Sequence, residues 1–106
     1  SMNHYAYGAV GDFLYRRVLG LEPIEGGYRH FRVKPVPGGG LRWAEGFTGT
    51  PYGKIQVRWE IQNRIFSVTI NVPASTTCQL VLPSGKEFEL RSGVHHINEP
   101  FEGVIP

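Results

Sequence analysis

The chain has 106 residues, enough for one domain that buries roughly 60–70% of its unfolded surface. Hydrophobic residues make up 41% and charged residues 19%, which excludes a disordered or acidic-tail protein. The net charge is +2 and no basic run exceeds Arg16-Arg17, so the patch or stripe that nucleic-acid binding needs is missing from the sequence.

Residues 1–19 read as the one helix of the chain. Asn3 can cap it, because a side-chain oxygen at this position accepts from an orphan amide of the first turn. Ala6, Val10, Phe13, Leu14 and Val18 form an apolar stripe, and Tyr5, Tyr7, Ala9 and Tyr15 extend apolar surface onto the other sides. A surface helix needs a single stripe, so this one is built to meet neighbours on several sides. Gly8 and Gly11 inside it each cost about 1 kcal/mol relative to Ala, which is tolerated where another element approaches closely. Gly20 is a normal residue to end the helix. Glu22-Pro23-Ile24-Glu25-Gly26-Gly27 cannot continue it, and residues 21–27 read as a linker.

From Tyr28 the apolar period changes to two. Arg29–Val33 is the first expected strand, closed by Pro35-Val36-Pro37-Gly38-Gly39-Gly40. Leu41–Phe47 is the second, with Leu41, Trp43 and Phe47 on one face and Trp43 expected in the core. Thr50-Pro51-Tyr52-Gly53 is a turn with Pro at its second position. Ile55, Val57, Trp59 and Ile61 then alternate with polar residues, the pattern of a half-buried strand. Asn63-Arg64 is a tight hairpin, followed by the alternating Phe66, Val68, Ile70 and Val72. Cys78, Leu80 and Leu82 share a strand face, Glu87–Leu90 and Val94–Ile97 are further strands, and Asn98–Pro106 is an extended tail. Seven or eight short strands, with turns roughly every 8–12 residues, predict an antiparallel β-sandwich or jelly roll over residues 28–106.

Candidate chemistry is thin. Glu87 and Glu89 lie two apart on one strand, so their carboxylates stand about 7 Å apart, within the spacing of an inverting glycosidase pair. Both fall opposite Phe88 and Leu90, on a solvated face with nothing to make either an acid, and a catalytic role is not expected. His95 and His96 are adjacent on a strand and point to opposite faces, and neither His30 nor His4 has ligand spacing to them, so no metal site is expected. Pro37–Gly40 lacks the Lys-Ser/Thr of a phosphate loop. The single cysteine, Cys78, reads as a buried thiol rather than a nucleophile, and no cofactor is implied. Trp43, Trp59, Tyr28 and Tyr52 could form a sugar-stacking platform, with Tyr52 in its turn the best-exposed of them and Trp59 expected in the core. No apolar run approaches 18 residues and no signal-peptide pattern is present, so no membrane contact is expected.

Ser1 to Asp12, centred on Asn3-His4-Tyr5-Ala6-Tyr7-Gly8, resembles the segment that closes the catalytic domain of bacterial α-L-rhamnosidases. Gly27–Phe31, Pro35–Leu41, Thr50–Ile55, Val72–Thr77 and Ser92-Gly93 with His95 resemble the same family's C-terminal β-domain. The resemblance implies a division into residues 1–20, the last helix of an α/α-barrel catalytic domain, and 28–106, a C-terminal sandwich that packs on the barrel. It implies hydrolysis of terminal α-L-rhamnosides with inversion by two glutamates upstream of this segment. No Glu here matches them, so the chain alone is expected to be inactive. The family's histidine in the Asn-His-Tyr string binds rhamnose, and that role falls to His4 only. A neutral imidazole there would donate and accept hydrogen bonds, as sugar hydroxyls require. The implied partners are the catalytic barrel and, in the intact enzyme, a rhamnoside, and the apolar helix is expected to drive self-association of the 106-residue chain. The alternative is a free-standing carbohydrate-binding or interaction module.

Overall fold

A computed structural model describes residues 19–25, 28–37 and 41–102. The expected N-terminal helix and His4 lie outside these residues. Eight strands are present: β1 (Leu21–Glu25), β2 (His30–Val33), β3 (Trp43–Thr50), β4 (Gly53–Gln62), β5 (Ile65–Val72), β6 (Thr77–Val81), β7 (Glu87–Leu90) and β8 (Gly93–Pro100). They form two four-stranded sheets, ordered β1-β2-β6-β7 and β3-β4-β5-β8. The alternating apolar residues of both sheets meet in one core. Phe31, Val33, Cys78 and Leu80 come from the first sheet, and Ile55, Val57, Trp59, Phe66, Val68 and Ile70 from the second. Trp59 and Phe66 pack at its centre with ring centroids 5.7 Å apart. Each such side chain contributes roughly 1.5–3 kcal/mol by leaving water.

The β3-β4-β5 meander follows from two turns. At the first, the Thr50 hydroxyl donates to the Gly53 carbonyl (2.7 Å) and accepts from the Tyr52 amide (3.1 Å). At the second, Asn63 and Arg64 take φ values of 55° and 63°, the pair of left-handed residues that a type I′ hairpin requires. Glu99 on β8 is buried among the apolar residues and holds the β6–β7 turn. Its carboxylate accepts from the Ser84 amide (3.1 Å) and the Ser84 hydroxyl (2.6 Å).

The structure corrects the sequence reading in three places. Residues 21–25, expected within a linker, are strand β1, antiparallel to β2 with Leu21 opposite Val33 and an irregularity between Pro23 and Glu25. Pro23 is tolerated because β1 is an edge strand, where a missing N–H leaves no ladder bond unmade. The sandwich is not wholly antiparallel, since β2 and β6 run parallel, with His30 opposite Thr77 and Val33 opposite Leu80. Three strands of the other sheet separate them in sequence, so the chain can return in the same direction, and alternation of side chains carries no information on direction. Trp43 and Phe47 lie on the outer face of β3, while Ala44 and Gly46 face inward. Ala44 is opposite Trp59 and Gly46 opposite Val57, so the large side chains of β4 occupy the space that β3 leaves. Within the second sheet the strand order is a meander joined by β8, without the paired Greek keys of a jelly roll.

Candidate functional site

The strand pleat sorts the chemistry-bearing side chains onto the two outer faces. On the β1-β2-β6-β7 sheet, Arg32 pairs with Glu22, and the His30 imidazole is hydrogen-bonded to the Thr77 hydroxyl, its register partner on β6. Gln79 donates its amide to the Glu87 carboxylate (3.0 Å). Ile24, His30, Gln79, Glu87, Phe88 and Glu89 line a shallow groove of about 480 Å³. Glu87 and Glu89 are both exposed on its rim, as expected of a solvated face. A general acid of a glycosidase needs an apolar pocket around its carboxyl, and neither residue has one.

On the β3-β4-β5-β8 sheet, Arg58 of β4 is the centre of a cross-strand row. Its guanidinium reaches Glu60 at 2.9 Å and Glu45 at 3.5 Å, and lies over the Trp43 ring at 5.4 Å. Lys54 lies over the Phe47 ring at 4.2 Å. Farther along, Asn71 donates to the Lys54 carbonyl (2.8 Å), and Thr69 is hydrogen-bonded to His96 (2.8 Å). Glu45, Gln56, Arg58, Thr69, Asn71 and Val94 line a second groove of about 440 Å³. This surface can hydrogen-bond a polar ligand, and its Thr69–His96 pair is open to solvent.

The remaining candidates are dispersed. His95 donates to the Arg91 carbonyl (2.6 Å) on the opposite strand face from His96, so the two do not converge. Among the described residues, no group of three or more His, Cys, Asp or Glu is placed to hold a metal ion. Nor is any helix among them long and apolar enough to cross a membrane. Cys78 is fully buried, and burial pushes its thiol up to about 12, against a smaller lowering by the Val33 backbone. A thiol so displaced is not a nucleophile. Tyr52 is partly exposed in its turn, and Trp59 lies in the core, both as expected.

Sequence alternation missed two features. One is the outward placement of Trp43, signalled only by the small residues Ala44 and Gly46 facing Trp59 and Val57 across the strand pair. The other is the junction at Gly20. Leu19 and Leu21 flank Gly20 in the core, and the Gly20 carbonyl accepts from the Lys34 amide (3.0 Å). The apolar residues on either side of the glycine were its visible signal.

Comparison with known proteins decides the family. The family described as bacterial alpha-L-rhamnosidase C-terminal domain matches residues 20–97. The chain belongs to that family. This rhamnosidase C-terminal domain is similar to an alpha-L-rhamnosidase of Formosa agariphila, 36% identical over 91 residues, which are 86% of the chain and 10% of the relative. It is also similar to one of Streptomyces avermitilis, 36% identical over 84 residues, 79% of the chain and 8% of the relative. The crystal structure of the Aspergillus terreus alpha-L-rhamnosidase superposes with a TM-score of 0.79 at 35% identity, over 84% of this chain and 11% of that one. The Streptomyces avermitilis enzyme complexed with L-rhamnose gives a TM-score of 0.80 at 28% identity, over 88% and 11%. The rhamnosidase C-terminal domain thus spans about a tenth of the length of the relatives it matches.

Proposed function

We propose that this β-sandwich is the non-catalytic supporting domain of a glycoside hydrolase that cleaves terminal α-L-rhamnosides. The family match over residues 20–97 carries this reading. The chemistry of the sandwich agrees with it, because Glu87 and Glu89 are exposed and the cysteine is buried and displaced from reactivity. Residues 1–18 serve as the closing helix of a catalytic α/α barrel, which gives their all-round apolar surface a partner. His4, in the first turn of that helix, hydrogen-bonds the rhamnose hydroxyls, and the catalytic glutamates are supplied by the barrel. In the intact enzyme, His4→Ala is expected to lower kcat/KM for an aryl α-L-rhamnoside by about tenfold or more, as loss of a hydrogen bond to a buried sugar hydroxyl does. An unchanged kcat/KM would remove His4 from the site.

A second reading is sugar binding by the sandwich itself, and one observation favours it. Trp43 stands on the outer face of β3, beside the groove lined by Gln56, Arg58 and Asn71, rather than in the core. Titration with L-rhamnose and rhamnosylated glycans should then change the Trp fluorescence of the sandwich, and Trp43→Phe should abolish the change. A flat titration leaves the supporting role alone.

A further inference from the structure

We infer that residues 19–21, clasped by the end of β2, form a rigid joint between the sandwich and the chain that precedes it. Gly20 is then a positioning residue for His4, an assignment that rests on the proposed function above. Three observations meet within three residues. Leu19 and Leu21 are 2% and 0% exposed, so the chain is pinned in the core on both sides of Gly20. The Gly20 carbonyl accepts from the Lys34 amide, and Leu21 is in register with Val33, so the joint continues directly into the β1–β2 ladder. Gly20 has φ +70°, and a Cβ on it would lie 1.8 Å from the Lys34 carbonyl oxygen. Only glycine permits this approach of two backbones.

A flexible linker has the opposite character, with polar, exposed residues and few contacts across it. Relative motion is the default between domains of one chain, and here the junction is built against it. Any element running into Leu19 therefore inherits the orientation of the sandwich. His4 is sixteen residues upstream of Gly20 in sequence, which is about 24 Å if those residues form the closing helix proposed above. A sub-ångström placement of a sugar-binding group is lost if the far end of such an element swings, and a displacement near 1 Å can cost about a hundredfold in rate. On this account the sandwich holds the closing helix in place, and does so through the backbone of Gly20 and Lys34.

Two measurements test the joint. In the 106-residue chain, the Lys34 amide should exchange with deuterium as slowly as the core amides of β4. Exchange at the rate of an open loop would overturn the joint. In the intact rhamnosidase, two glycines inserted between Val18 and Leu19 leave the joint intact but uncouple it from what precedes. The kcat/KM for an aryl α-L-rhamnoside should fall about tenfold to a hundredfold, mainly through a raised KM, with the thermal transition of the sandwich unmoved. The core variant Val57→Ala, which lowers stability without touching the joint, should leave KM unchanged. Kinetics unaltered by the insertion, or equal KM changes in both variants, would overturn the positioning role. An intact protein that cleaves no rhamnoside would instead refute the proposed function, and the exchange measurement would still decide the joint.

Discussion

Cys78 sits in the middle of β6 with no exposed surface, and the cost of burying a thiolate pushes its ionisation up to about 12 from 9.0. Between these two values the unfolded chain releases the thiol proton and the folded chain keeps it. The stabilisation is therefore complete below pH 9 and is lost as pH rises towards 12, by at most about 1.4 kcal/mol per pH unit. Cys78→Ala should cost about 1–2 kcal/mol at neutral pH through the small cavity it leaves. That deficit should shrink above pH 9, which urea denaturation at pH 8 and pH 10 would measure. A deficit constant with pH would mean that the thiol is not shielded. Glu99 acts at the same scale, through hydrogen bonds. Its buried carboxylate satisfies two donors of Ser84, and Glu99→Ala strips both at once. A loss of about 2–3 kcal/mol in denaturant titrations is expected, with Ser84→Ala losing less because only the hydroxyl is removed.

Strands were the most legible elements. Ile55 to Ile61 and Phe66 to Val72 face the core at every second residue, because each strand has one buried and one wet face and alternation is the direct imprint of that geometry. The same argument failed on β3, where the aromatic residues point outward and the inward positions are Ala44 and Gly46. Hydrophobicity alone assigned Trp43 to the core, whereas the volume of Trp59 across the strand pair excluded it. It failed also on β1, where Pro23 marked a linker but the edge position removes its penalty. The parallel pairing of β2 with β6 left no trace in either strand, since direction is set by the course of the intervening chain. At the β4–β5 hairpin, Asn63 suits a left-handed turn position but Arg64 does not. Arg64→Gly should raise stability by roughly 0.5–1 kcal/mol, because the backbone bond that Phe101 makes to residue 64 does not need the side chain. An unchanged or lowered denaturation midpoint would show that the arginine side chain contributes to the fold.

For the whole molecule, the two grooves and the junction divide what the sequence could disclose. Residues that need only a face, such as Glu87 and Glu89, were placed correctly by the pleat. The grooves combine side chains from strands that are distant in sequence, and Gly20 acts through Lys34 on another strand, so neither was visible before the register was known. The apolar segment 1–18 leads to a prediction at this scale. Without a barrel to cover it, the 106-residue chain should self-associate, and light scattering should give a mass above 11.9 kDa that falls when residues 1–18 are removed. A monomer in both forms would contradict the role given to that segment. On the proposed function, the sandwich supports rhamnoside hydrolysis without performing it. The direct measurement is release of the aryl group from an aryl α-L-rhamnoside by the purified 106-residue chain and by the intact protein that carries it. Turnover is expected from the intact protein and none from the chain, and turnover by the chain itself, or its absence from the intact protein, would contradict the claim.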